Sequence, residues 1–376
     1  MDIAIAFVLI GKYFCLNNQY KDGVRNQLWR SVKPSTKGVD SDKKLIYLYI
    51  MKKVSVIVPE TAVIEAIGDP HYMFRAVNDF LTSAGKPPLF HIQLVGLTKE
   101  VKLLNGLISI HPDATIDEVE KTDLIFIPAL SGDLKVALEK NREFIPWIIT
   151  QYKLGAEVAS LCIGAFLLAS TGLLNGKKCS THWLQANEFR QMFPDVELVD
   201  GSIITEDDRI YSSGGANSYW NLLLYLVEKY TNRETAILAS KFFAIDIDRN
   251  SQSHFVIFQG QKNHNDEVVK NAQCFIEANY QDKITVDQLT DKFAVGRRSF
   301  ERRFKSATNN TVIEYLQRVK IEAAKRSFES SRKNINEVMF EVGYTDTKAF
   351  RDVFKKITGL TPIEYRNKYN KMGMVD

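Results

Sequence analysis

The last hundred residues of the chain carry one helical pattern twice, and this repeat limits the possible fold more than any other feature. Ser299-Phe300-Glu301-Arg302-Arg303-Phe304-Lys305 returns as Ala349-Phe350-Arg351-Asp352-Val353-Phe354-Lys355, an offset of 50 positions. The stretch from Thr308 to Tyr315 returns as Thr358 to Tyr365 at the same offset. Upstream, Val286 and Leu289 match Ile335 and Val338 at an offset of 49, so one residue enters just before the second basic helix. Two copies of helix, short turn and basic helix are what a double helix-turn-helix reader of duplex DNA requires.

The helix starts are written in side-chain chemistry. Thr285-x-x-Gln288, Thr311-x-x-Glu314 and Thr361-x-x-Glu364 predict capping boxes, with Pro362 at the first position of the last helix and Asn334 with Glu337 as a weaker version. In the first copy Val286, Leu289 and Phe293 form one apolar face, and Ala294-Val295-Gly296 makes the turn. Burying Phe300 and Phe304 then turns Arg298, Glu301, Arg302 and Lys305 to solvent, while Arg297 and Arg303 flank the seam where phosphates would lie. In the second copy Ile335, Val338 and Val342 precede the turn Gly343-Tyr344-Thr345. Phe350, Val353 and Phe354 face inward there, and Lys348, Arg351, Asp352 and Lys355 face outward. Ile313, Leu316, Val319 and Ala323 mark a connecting helix of roughly twenty residues, about 28 Å long, against about 34 Å between successive major grooves.

A basic face on an amphipathic helix is as a rule only a solvated face. Two aligned copies with matching caps and Phe-x-x-x-Phe anchors require more than that. The predicted DNA contacts are Arg297, Arg298, Ser299, Arg302, Arg303, Lys305, Thr347, Lys348, Arg351 and Lys355, with double-stranded promoter DNA as the partner. Charge agrees. Residues 262–376 hold 22 Lys and Arg against 16 Asp and Glu, a net of +6, while the rest of the chain has a net of −2.

The region from Met51 to about residue 247 has a different rhythm. Val54 to Val58, Ile92 to Val95, Asp123 to Pro128 and Val158 to Leu161 read as short strands, the third continuously apolar and so buried on both faces. Tyr72 to Ser83, Phe144 to Lys153, Gly164 to Ser170 and Trp220 to Tyr230 read as helices between and after them, and Arg233 to Ala244 continues helical. Alternation of this kind predicts an α/β domain with a mostly parallel sheet. The polar run 248–266 reads as a linker and 267–370 as an all-α domain with two helix-turn-helix motifs.

Ser160-Leu161-Cys162-Ile163-Gly164 stands where a strand gives way to a helix, the geometry of a nucleophile elbow. There the helix N-terminus would favour a thiolate, so Cys162 is expected to react faster than Cys179 or Cys274. The bland alternative is a small buried apolar residue. His182 is the nearest candidate base. The cysteines (Cys15 is the fourth) have no metal-ligand spacing, no cofactor motif is present, and a reducing cytoplasm is the simple reading. Ile3 to Ile10 is too short to span a bilayer, which argues against a membrane partner. Residues 1–50 read as a loosely ordered extension, and translation from a start upstream of the native one is the expectation.

Residues 268–370 resemble the AraC/XylS-type double helix-turn-helix domain, and Gly359-Leu360-Thr361-Pro362-x-Glu364-Tyr365-Arg366 resembles that family's C-terminal signature. The resemblance implies a sequence-specific transcription regulator read out by the helices near 297–305 and 347–355. Gly296 departs from the Ser or Thr that usually caps the first recognition helix, and Arg318 falls where the family carries an Arg, here expected in a structural ion pair. Residues 51–245 resemble the DJ-1/PfpI superfamily with its flavodoxin-like sheet, in the GlxA-like subset fused to AraC-type domains. Cys162-x-Gly164, Leu167-Leu168-Ala169, Gly172-Leu173-Leu174, Thr181-His182-Trp183 and Ser213-Gly214-Gly215 carry it. Cys162 and His182 match that family's nucleophile and histidine positions. Its competent members place a Glu after the first strand, where the alignment here puts Val63 or Ile64, not Glu60 or Glu65. The expectation is therefore a regulator, not an enzyme. Its pocket at Cys162 and His182 would sense an unknown small molecule or the domain would mediate homodimerisation, with RNA polymerase as a further partner. A cysteine-dependent hydrolase or glyoxalase-like enzyme with an accessory DNA-binding domain is the alternative.

Overall fold

The computed structural model describes residues 51–247, 251–262 and 264–370. The extension 1–50, Cys15 and the final six residues lie outside the described residues.

In the α/β half, the elements are β1 (Lys52–Ile57), α1 (Ile64–Ser83), β2 (Phe90–Gly96), β3 (Val101–Leu103), β4 (Ile108–Ile110), β5 (Ala114–Thr115) and β6 (Leu124–Ile127). There follow α2 (Leu134–Lys140), α3 (Phe144–Lys153), β7 (Glu157–Leu161), α4 (Ala165–Ser170), β8 (Lys178–Cys179), α5 (Ala186–Met192), β9 (Glu197–Leu198), β10 (Ile204–Asp207), β11 (Ile210–Ser213), α6 (Tyr219–Tyr230) and α7 (Arg233–Phe242). Seven strands form one sheet in the order β10-β11-β7-β6-β1-β2-β5. Every pairing is parallel except β10 with β11, which closes one edge as an antiparallel hairpin.

The central strands are apolar throughout because both faces are covered. Leu124 and Phe126 join Val54, Val56 and Ala159 under α1 and α6, while Ile125 and Ile127 join Val158 under α3 and α4. Ser55 breaks the apolar run of β1, yet it is buried at no cost in unpaired groups. Its Oγ donates to Thr122 Oγ1 at 2.9 Å and accepts from Gln93 Nε2 at 3.0 Å. The first helix starts eight residues earlier than Tyr72 and runs through Pro70. Ala66 and Ile67 share a buried face with Phe74 and Val77, and their packing outweighs the hydrogen bond that proline removes.

The helical half comprises α8 (Glu267–Ala278), α9 (Val286–Lys292), α10 (Arg297–Thr308), α11 (Val312–Ser330), α12 (Ile335–Glu341), α13 (Thr347–Thr358) and α14 (Pro362–Tyr369). Two apolar cores form, one per copy. Leu289, Phe300, Phe304 and Tyr315 fill the first, and Val338, Phe350, Phe354 and Tyr365 fill the second. All four capping boxes are present, Asn334 with Glu337 included. Among the described residues no helix is long and apolar enough to cross a membrane.

Candidate functional site

Each copy builds its outward helix by the same local devices. Phe300 and Phe304 are fully buried, as are Phe350 and Phe354. Thr308 Oγ1 donates to the Phe304 carbonyl at 2.7 Å, and Thr358 Oγ1 donates to the Phe354 carbonyl at 2.8 Å. Both helices then stop at a left-handed residue, Asn309 (φ 55°) or Gly359 (φ 78°). Anchored this way, α10 presents Arg298, Ser299, Arg302 and Lys305 to solvent, and α13 presents Lys348, Arg351 and Lys355. Thr347, at the first position of α13, is half-buried. The connecting helix α11 has 19 residues, about 28 Å of rise.

A third helix serves each copy, which the sequence reading did not single out. Tyr315 donates its hydroxyl to Glu277 of α8 at 2.6 Å, and Tyr365 donates to Glu329 of α11. The repeated unit is therefore three helices packed behind one tyrosine, with α11 ending the first unit and opening the second. The Glu-to-Tyr separations of 38 and 36 residues were the signal available.

Three predicted roles change. Arg303 does not lie free beside a phosphate seam. Its Nε and Nη2 donate to the two oxygens of Asp266 at 2.7 and 2.6 Å, and Asp266 also accepts from the Val269 amide to cap α8. The guanidinium hydrogen bond holds the Asp266 carboxyl below its ordinary value. Arg303 thus locks α10 onto α8. Arg297 is exposed but engaged, 2.8 Å from Asp287 and 3.5 Å from Glu301. Arg318 lies 5.9 Å from the Phe258 ring centre, a cation–π contact, and among the described residues no carboxylate pairs with it.

The elbow at Cys162 has the expected backbone. Cys162 takes φ of 55°, a left-handed conformation that costs a non-glycine residue of order 1–3 kcal/mol and clusters at functional sites. Gly164 is obligatory beside it, since a Cβ there would stand 2.5 Å from the carbonyl oxygens of Ile127 and Pro128. The Cys162 amide donates to Ser213 Oγ at 3.2 Å, and Thr181 Oγ1 donates to the Cys162 carbonyl at 3.1 Å. These bonds gather the ends of β7 and β11 and the loop after β8.

The thiol itself departs from the expectation. Cys162 is 4 % exposed, in one buried cluster with Ala62, Ala66, Ala129 and Tyr219. Burial pushes its thiol up to about 12, against a smaller lowering by the Ile163 amide. The helix N-terminus does not prevail over desolvation here. Cys179 is likewise buried and pushed up to about 12, whereas Cys274 is exposed. His182 is half-buried and caps the short turn at Trp183–Gln185, its Nδ1 accepting from the Leu184 amide at 3.1 Å. Desolvation lowers its pKa, which favours the neutral ring. Among the described residues no hydrogen bond links His182 or a carboxylate to the Cys162 thiol. The nearby acid, Asp69, instead accepts from the Tyr219 hydroxyl at 2.6 Å. No group of three or more His, Cys, Asp or Glu among the described residues is placed to hold a metal.

Comparison with known proteins yields two family matches. Residues 54–229 match the DJ-1/PfpI family, and residues 289–368 match a helix-turn-helix domain. The chain is 26% identical over 269 residues to the HTH-type transcriptional regulator GbdR of Pseudomonas aeruginosa, covering 71% of this chain and 72% of that one. It is 25% identical over 215 residues to the HTH-type transcriptional regulator ArgR of the same species, covering 57% of this chain and 65% of that one. Among solved structures, an AraC family transcriptional regulator from Pseudomonas putida superimposes with a TM-score of 0.43 and 18% identity, over 51% of this chain and 99% of that one.

Proposed function

We propose that this DNA-binding transcription regulator, an AraC-type helix-turn-helix domain joined to a DJ-1/PfpI-family domain, reads promoter DNA as two half-sites under the control of a small molecule. The domains run over 51–247 and 267–370. The observation that carries the reading is the pair of 12-residue helices α10 and α13, each anchored by two buried phenylalanines and each turning cations to solvent. Arg298 and Arg302 read bases in one half-site, and Lys348 and Arg351 read bases in the other. Ser299, Lys305, Thr347, Lys355 and the tethered Arg297 contact backbone.

The ligand is sensed at the elbow around Cys162 and His182, with the strained backbone of Cys162 as the element that ligand binding relaxes. Homodimerisation is supported by the apolar surface shared by α1 and α7, where Tyr72, Leu238 and Phe242 are all exposed. A cytoplasmic location and contact with RNA polymerase complete the reading. Selecting genomic fragments with the purified full chain tests it. Enriched fragments should share a bipartite motif, and Cys162→Ser should enrich the same fragments while altering the response of a reporter to the effector. Absence of enrichment would sink the DNA reading.

One observation favours a second reading, a cysteine hydrolase or glyoxalase-like enzyme: the elbow keeps its left-handed cysteine and its glycine. Against it stand a buried thiol and the lack of a base bonded to it. No appreciable peptidase, amidase or glyoxalase turnover is expected. Turnover lost in both Cys162→Ser and His182→Ala would make the enzyme reading primary.

A further inference from the structure

Residues 251–262 hydrogen-bond to both halves of the molecule, and each end of the stretch meets buried polar groups. At the α/β end Gln252, 2 % exposed, donates from Nε2 to the carbonyls of Thr181 and Ser202, both at 3.1 Å. Its amide donates to the Gly201 carbonyl at 2.9 Å. Thr181 is the residue whose hydroxyl holds the Cys162 carbonyl. Gln252 therefore stands one hydrogen-bonded residue away from the strained elbow.

The other end rests on the connecting helix. Lys325 and Glu322 form a buried ion pair at 2.8 Å on α11, their side chains 4 % and 7 % exposed. Lys325 Nζ also donates to the Val256 carbonyl at 2.5 Å, and the Phe258 amide donates to Glu322 Oε2 at 3.1 Å. The Phe258 ring meets Tyr315 edge-on, with centres 5.1 Å apart. Residues flanking this grip reach both reading units. Gln261 accepts from Gln273 of α8 at 2.9 Å, and His254 and Lys368 of α14 approach to 3.0 Å.

A buried ion pair is tolerable only while its remaining hydrogen-bonding capacity is met. Here the backbone of the strap meets it, so partial withdrawal of Val256 and Phe258 is disfavoured and the strap is either docked or released. The two ends are unequal. Among the described residues Gln252 Oε1 is buried without a partner, which makes that end the weaker grip.

We propose that residues 251–262 are a two-ended latch that couples the loop beside Cys162 to the helix that spaces the two readers, with Gln252 as the releasable end. A ligand that displaces the Gln252 carboxamide from Thr181 and Ser202 frees the strap. The Lys325–Glu322 pair then loses its backbone partners, and α11 shifts between the reading units. The latch rests on the sensor reading only for the nature of its input.

Amide hydrogen exchange on the full chain, without ligand, tests it. In Gln252→Ala the Phe258 amide should exchange at least tenfold faster, together with the backbone amide at position 252, while the amides of β1 keep their protection. Acceleration confined to residues 251–253, with Phe258 as protected as in the parent chain, would overturn the latch. The reverse experiment, Glu322→Gln, keeps an acceptor for Phe258 but breaks the ion pair. It should speed exchange at Gln252, because coupling between two ends is reciprocal, and unchanged exchange there would overturn the proposal as well. An unaltered reporter response in Cys162→Ser would count against the sensor reading alone.

Discussion

Arg302 and Arg303 are adjacent, alike in charge and opposite in role. Arg302 is exposed, whereas Arg303 spends its guanidinium on Asp266. Arg303→Gln should therefore lower the melting temperature of the helical domain, with DNA affinity falling only as far as α10 loosens. The sign with pH follows from the partner. A carboxyl whose folded value is depressed contributes stability above its ordinary value, 3.8 for Asp266, and loses it as pH falls through the folded value. Thermal melts should separate Arg303→Gln from the parent chain at neutral pH and converge well below pH 3.8. A difference that persists in acid would show that the pair is not the cause. For the cysteines, a thiol reagent at neutral pH should label Cys274 first, because Cys162 and Cys179 are buried and pushed up to about 12. Rapid labelling of Cys162 in the absence of ligand would mean the elbow opens far more readily than its packing implies.

The two copies also disagree, within each reading element, at one turn position. Ala294 and Gly343 occupy equivalent turns, each in the left-handed region, at φ of 50° and 75°. Ala294→Gly should stabilise the first copy by up to about 1 kcal/mol, since alanine is held there against its backbone preference. Gly343→Ala should destabilise the second severely, because a Cβ would stand 2.0 Å from the Gln281 carbonyl oxygen. Gly296 caps α10 without a side-chain bond, at φ −68° and with open space around it. Gly296→Ser should add a few tenths of a kcal/mol. Denaturant melts check all three signs, and stabilisation by Gly343→Ala would contradict the packing described. The contrast explains what was legible beforehand. Caps, turns and Phe anchors are written within a few residues, so the sequence displays them. The Asp266–Arg303 lock spans 37 positions, and the cluster that buries Cys162 with Tyr219 joins different elements. Such pairings exist only once helices dock, and the elbow motif fixes a backbone turn without stating how deeply its thiol is buried.

At the scale of the whole molecule, α10 and α13 turn their cations to solvent from one helical half, and residues 251–262 hydrogen-bond that half to the α/β half. The exposed cations of α10 and α13 remain uncovered by the α/β half. Footprinting on a fragment selected by the full chain tests the central claim most directly, comparing the parent with Arg298→Ala and Lys348→Ala. Each substitution should cost on the order of 1–3 kcal/mol. Arg298→Ala should relax protection and base preference in one half-site only, and Lys348→Ala in the other, about one helical turn away. Loss of the same half-site in both variants, or of neither, would contradict a double reader.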